Sequence, residues 1–125
     1  MSGAVLDAGA LIGFERNDRR VVGIVARALH HGDTLLVPAG VVGQAWRDGA
    51  RQVRLVRLLG SPACEVIALD DATARGAGQL CGASATSDVI DASVALLAGK
   101  RDLRVITSDP QDLLRLDPKL DVVTV

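Results

Sequence analysis

Short apolar runs that each give way to a longer stretch with helical spacing constrain this chain more than any other feature. Ala4 to Leu6 is one such run; it reaches Asp7 and turns into small helix formers. Thr34 to Val37 is stopped by Pro38, after which Val41, Val42, Ala45 and Trp46 resume helical spacing up to Gly49. Glu65 to Leu69, Arg104 to Thr107 and Val122 to Val125 read as further strands. Between them the spacing predicts helices over Asp18 to Leu29, Arg51 to Leu59, Asp70 to Cys81, Asp88 to Ala98 and Pro110 to Leu116, with Gly82 to Ser87 as a small polar loop. Strands separated by helices require right-handed crossovers, hence a parallel sheet with helices on both faces. The expected class is α/β, a single domain over residues 1–125.

Composition narrows this further. Apolar residues make up 49% of the chain, with Phe14 and Trp46 as its aromatics, so the interior must be aliphatic. Trp46, set among Val41, Val42 and Ala45, is expected in that interior rather than stacked on a base. No apolar run approaches the roughly 18 residues of a membrane span, and no basic stretch with a cleavage site opens the chain, so a soluble cytoplasmic protein is expected. Cys64 and Cys81 match no metal spacing and read as buried small hydrophobes. His30 and His31 suit the negative end of the helix they close.

A formal net charge of -1 excludes a uniformly basic nucleic-acid binder, and the kind of acid is more telling than the sum. Thirteen of the fifteen acids are Asp, a residue of caps, turns and metal sites. Asp7 ends the first strand, Asp109 follows the Arg104 to Thr107 strand, and Asp88 opens the helix before it. In an open parallel sheet, sites form beyond the carboxyl ends of the strands, so these acids are placed to share one rim. Asp91 lies three residues after Asp88, on the same helical face and inside an otherwise apolar stretch. Asp88 and Asp109 also read as ordinary N-caps, whereas Asp7 has no strong capping need. Asp112, Asp33 and the other acids are expected at solvated caps and turns. A cluster of carboxylates without His or Cys favours Mg²⁺ or Mn²⁺ over Zn²⁺.

Four segments, VLDAGALIGFER, LLVPAGVVGQAWRDG, SDVIDASVALLAG and ITSDPQDLLRL, resemble the motif regions of PIN-domain proteins, specifically VapC-type toxins of VapBC toxin-antitoxin systems. The likeness covers essentially the whole chain, in order. It implies a PIN-like three-layer sandwich and a metal-dependent endoribonuclease, the toxin of a type II pair. Carried over, the catalytic acids are Asp7, Asp88 and Asp109, with Asp91 added on the same helical face; Asp7 and Asp88 would hold the Mg²⁺ or Mn²⁺. The family pattern has a Glu where this chain has Gln44, which removes one negative charge from the site. The resemblance also implies a VapB-type antitoxin, an RNA substrate and a homodimer.

On this reading the ion polarises a phosphodiester oxygen and acidifies a water for in-line attack, leaving a 5'-phosphate and a 3'-hydroxyl. Thr107 and Ser108 are placed to orient that water or a ligand. Arg47, Arg51 and Arg54, with Arg57 beyond, form a track for RNA provided that helix continues past Gly49. Two other readings compete. A phosphoacceptor receiver domain needs a strand-end Lys that neither Lys100 nor Lys119 supplies. A catalytically weakened module that binds RNA or an antitoxin without cleaving is favoured by Gln44.

Overall fold

The computed structural model describes residues 2–125. Its strands are β1 (Gly3–Leu6), β2 (Thr34–Pro38), β3 (Cys64–Ile67), β4 (Arg104–Thr107) and β5 (Val122–Thr124), joined in one sheet in the order β3-β2-β1-β4-β5. Every pairing is parallel, with Val5 opposite Leu36 on one side and Val105 on the other. The helices are α1 (Ala8–Glu15), α2 (Arg19–His30), α3 (Ala39–Ala45), α4 (Val53–Leu59), α5 (Asp71–Ser84), α6 (Val89–Arg101) and α7 (Pro110–Leu116).

The chain runs outward from β1 through β2 to β3, then returns across the sheet to β4 and β5. Right-handed crossovers put the outward helices on one face and the returning ones on the other. Packing agrees: α1 meets α2, α3 and α4, while α5, α6 and α7 pack on one another. The α/β three-layer expectation therefore holds. The central strands are buried on both sides, all of β1 included, as continuous apolar runs allow; the edge strands β3 and β5 keep exposed residues. Val5, Leu35, Val37 and Ile106 meet Leu11 and Val41 from one layer and Val94 from the other, so the core is aliphatic. Burying each such side chain contributes about 1.5–3 kcal/mol.

Departures from the sequence expectations have local causes. Helix α3 stops at Ala45, because the Gln52 side chain organises the segment that follows. Its Oε1 accepts from Arg47 N (2.8 Å) and Asp48 N (3.0 Å), and its Nε2 donates to Ala45 O (2.9 Å). Trp46 consequently leaves the helical path and is 40% exposed instead of in the core, its ring lying over Gly49, where a Cβ would come within 2.7 Å. Helix α4 takes its N-terminal partner from far away in sequence: Glu15 Oε2 accepts from Leu55 N at 2.7 Å, tying the end of α1 to the start of α4. Helix α5 runs past Cys81 to Ser84, through the expected loop start, and ends on Ala85 in the left-handed region (φ 54°). Strand β3 starts at Cys64 and ends at Ile67, short of Leu69. Cys81 is buried as expected, but Cys64 is half-buried on the edge strand. No single helix is long and apolar enough to cross a membrane among the described residues.

Candidate functional site

The point where the chain reverses its direction across the sheet lies between β1 and β4, and crevices open at such points beyond the strand ends. Asp7 sits there. Its N–H donates to Ile106 O (3.3 Å), extending the β1–β4 ladder by one residue, and its carboxylate caps α1 by accepting from Ala10 N (2.9 Å). Asp7 thus has the capping role that its sequence context did not suggest. It is 6% exposed, and burial pushes its carboxyl above the ordinary range. The Thr107 hydroxyl and the Ala10 N–H oppose that rise, while the charge of Asp109 adds to it.

Thr107 is fully buried at the end of β4 and joins two of the acids. Its hydroxyl hydrogen-bonds the Asp7 carboxylate and accepts from Asp109 N at 2.8 Å. Asp109 is the N-cap of α7 by position, but its carboxylate makes no capping bond. That leaves it free to approach Asp112, whose carboxyl is raised first by a hydrogen bond with Asp109 and then by the Asp109 charge. Ser108 is exposed and crowds Gly9, where a Cβ would collide with its Oγ and lie 3.5 Å from Asp7 Oδ1. A side chain at position 9 would displace the Ser108 hydroxyl from its place beside the start of α1.

The second pair comes from the first turn of α6. Asp88 caps that helix by accepting from Asp91 N at 2.9 Å. Asp91 is half-buried, and its carboxyl is pushed up to about 7, first by burial, then by the charge and hydrogen bond of Asp88, with Asp112 and Asp7 adding to the rise. The carboxylates of Asp7, Asp88, Asp91, Asp109 and Asp112 therefore act on one another around a single rim. A cleft of about 580 Å³ opens beside them, lined by Thr86, Ser87, Asp88, Asp91, Asp112 and Arg115 among others. Asp112 is exposed, as the sequence suggested, but it also meets Asp109, which the sequence did not suggest. The available signal was its spacing three residues after Asp109, which repeats that of Asp88 and Asp91.

No family model matches the chain, and no curated protein matches it. Solved structures do. A chain of a toxin-antitoxin complex from Klebsiella pneumoniae superposes with a TM-score of 0.71 at 17% identity, over 98% of this chain and 97% of that one. DNA-bound VapBC from Salmonella typhimurium gives 0.69 at 21% identity, over 99% and 98%. VapBC2 from Rickettsia felis, bound to a fragment of its promoter DNA, gives 0.70 at 14% identity, over 97% of each chain.

The fold is PIN-like. In this PIN-like sandwich the acids gathered at the strand ends supply hard oxygen donors and no His or Cys, a set suited to Mg²⁺ or Mn²⁺. As the side chains stand, no three acids are drawn tightly enough to enclose an ion among the described residues. Mg²⁺ does not need three, since one or two carboxylates suffice when water and phosphate fill the other positions. Asp91 is raised by burial and by Asp88, and Asp112 by Asp109, so a cation placed among these oxygens would relieve their repulsion, and the donor set fits.

Other expected site residues fall elsewhere in the PIN-like fold. Gln44 is half-buried on α3, and no hydrogen bond joins its side chain to an acid among the described residues. Arg47, Arg51 and Arg54 form no continuous helical stripe because helix is interrupted from Trp46 to Gln52. Arg47 Nη1 donates to Gly43 O (3.0 Å) and Trp46 O (2.7 Å), closing the end of α3. Arg51 pairs with Asp48 at 3.6 Å, and Arg54 is exposed on α4. His30 ends α2 and His31 caps it, as anticipated. Asp33, expected in a solvated turn, is buried against Arg104 at 3.7 Å.

Proposed function

We propose that this chain is a metal-dependent endoribonuclease and the toxin of a type II toxin-antitoxin pair. The observation that carries the reading is the group of mutually repelling carboxylates at the reversal point of a PIN-like sheet, with no protein cation in ion-pair contact with them among the described residues. Asp7 and Asp88, with Asp91 beside them, would hold Mg²⁺ or Mn²⁺. When bound, the ion supplies positive charge at the scissile phosphate and acidifies a water.

The chain's own groups do the rest. Thr107 holds the Asp7 carboxylate in one orientation through its hydroxyl and keeps the β4–α7 turn in place by accepting from Asp109 N. Ser108 Oγ, close to Asp7 over the bare Gly9 backbone, is placed to orient the attacking water. Asp112, whose carboxyl is raised beside Asp109, is placed to take the proton that the water gives up. The water oxygen joins phosphorus, the bond to the 3'-oxygen breaks, and that oxygen takes a proton to become the 3'-hydroxyl beside a 5'-phosphate.

Toxin-antitoxin complexes are the assemblies named for similar structures, which supports a VapB-type antitoxin as partner. A homodimer and a cytoplasmic location belong to the same proposal and rest on the family resemblance alone. The neutral Gln44 favours a second reading, a module that binds RNA or an antitoxin without cleaving. Incubating the purified chain with total RNA decides between them. Cleavage with Mn²⁺ that stops with EDTA and in Asp7→Asn supports the enzyme; intact RNA with Mn²⁺, despite measurable binding, supports the module.

A further inference from the structure

The acid-lined cleft contains one cation, and it is not neutralised. Arg115, exposed in the last turn of α7, lines this cleft together with Asp88, Asp91, Asp112 and the hydroxyl residues Thr86 and Ser87. Its charge reaches Asp112, one helical turn back, yet no carboxylate comes within 4.0 Å of its guanidinium among the described residues. By contrast Arg51 meets Asp48, Arg75 meets Asp71 and Arg104 meets Asp33 within that limit. A free guanidinium is a planar fork of donors that matches two phosphate oxygens at once. Beside carboxylates that repel RNA, it is also the group on the cleft wall that attracts an anion.

We infer that Arg115 is the phosphate-holding residue of this cleft, taking two oxygens of an RNA backbone phosphate and fixing the strand against the carboxylates. The inference rests on the nuclease reading for its substrate, but it concerns binding and is testable without turnover. The Thr86 and Ser87 hydroxyls that share the cleft are further donors for the same phosphate, and a short single-stranded RNA is the probe that presents such phosphates without a duplex.

The test measures the affinity of a short single-stranded RNA against salt concentration, in EDTA so that nothing is cleaved, for the parent, Arg115→Gln, Arg115→Lys and Arg27→Gln. Arg27 is exposed on α2 and serves as a matched loss of charge. Each phosphate contact in single-stranded binding contributes a slope of about 0.7 in log affinity against log salt. Arg115→Gln is expected to lower the slope by about that amount, Arg115→Lys to keep it, and Arg27→Gln to leave it at the parent value. In a parallel cleavage assay with Mn²⁺, Arg115→Lys raises KM and leaves kcat near the parent value, because the ammonium cannot make the two-pronged contact that holds the bound strand. Equal slope changes in Arg115→Gln and Arg27→Gln, or no change in either, overturn the inference, as does a parent that binds no RNA. A parent that binds with the expected slopes yet never cleaves removes the nuclease reading and leaves Arg115 as the phosphate contact.

Discussion

The two ends of the sheet carry nearly the same chemistry in clefts of nearly the same size. At the amino end a cleft of about 560 Å³ is lined by Asp33, Asp102, Asp121, His31 and Arg104; at the carboxyl end one of about 580 Å³ holds Asp88, Asp91, Asp112 and Arg115. The difference lies in how the charges are answered. Arg104 closes on the buried Asp33 at 3.7 Å, so the amino-end acid is matched from within the protein. At the carboxyl end the acids meet each other, with Asp91 pushed up to about 7 and both Asp7 and Asp112 raised. The buried Asp33 is paired by the fold, whereas the acids at the carboxyl end face one another with no protein cation in ion-pair contact among the described residues, which is the feature that the proposed metal reading uses.

The largest contrast is expected in activity. Asp7→Asn keeps a side chain able to cap α1 but removes a ligand charge, and RNA cleavage should fall roughly 100- to 1,000-fold. Asp102→Asn at the amino end should leave the rate at the parent level. Equal rates for the two variants would erase the distinction between the ends.

Metal binding should separate them next. At Mn²⁺ near one hundred times its dissociation constant, the parent gains about 2.7 kcal/mol through binding to the folded state, seen as a rise of several degrees in Tm. Asp88→Asn should lose most of that rise and Asp121→Asn none. A full metal response in Asp88→Asn would move the ion to the Asp109–Asp112 pair.

A smaller effect follows from Asp91 in the absence of metal. Its carboxyl keeps its proton in the folded chain up to about 7 but releases it near 4 when unfolded. The stability from that bound proton is therefore complete below about 4 and is lost as pH rises through 7. Asp91→Asn should be more stable than the parent at pH 8 by on the order of 1–2 kcal/mol, a figure reduced because half-exposed carboxylates are screened, and close to it at pH 4. Urea midpoints at the two pH values in EDTA check this; a difference that did not grow with pH would mean that Asp91 is not held among like charges.

The smallest effect belongs to the amino end. Arg104→Gln removes the cation beside Asp33, and because Arg104 is 45% exposed the loss should be about 0.5–1 kcal/mol. The gap between parent and variant should narrow at 1 M salt, where exposed charges are screened within about 3 Å. A loss of several kcal/mol, insensitive to salt, would show that the amino end also depends on a desolvated charge.

Much of the architecture was legible in the chain because it follows from local pattern. Continuous apolar runs such as Ala4 to Leu6 predict strands buried on both faces, helical spacing predicts the crossovers, and their alternation leaves a parallel sheet as the arrangement that buries them all. The same locality explains why Asp7, Asp88, Asp91 and Asp109 could be placed at the rim: each sits at a strand end or helix start, and those positions lie on the same side of a parallel sheet.

By itself, then, the sequence determined the α/β class, the order of elements and four of the five acids on the rim, since periodicity and capping are properties of residues a few places apart. Tertiary structure decided the rest. Gln52 and Glu15 set where α3 ends and α4 begins by bonding backbone groups up to 40 residues away, which turned Trp46 outward and broke the arginine stripe. Whether Asp33 finds Arg104, whether Asp112 meets Asp109 and whether Arg115 remains unpaired depend on neighbours brought together by packing. A carboxylate's ionisation responds to burial and to every charge within several ångströms, and those distances exist only once the layers have closed on the sheet.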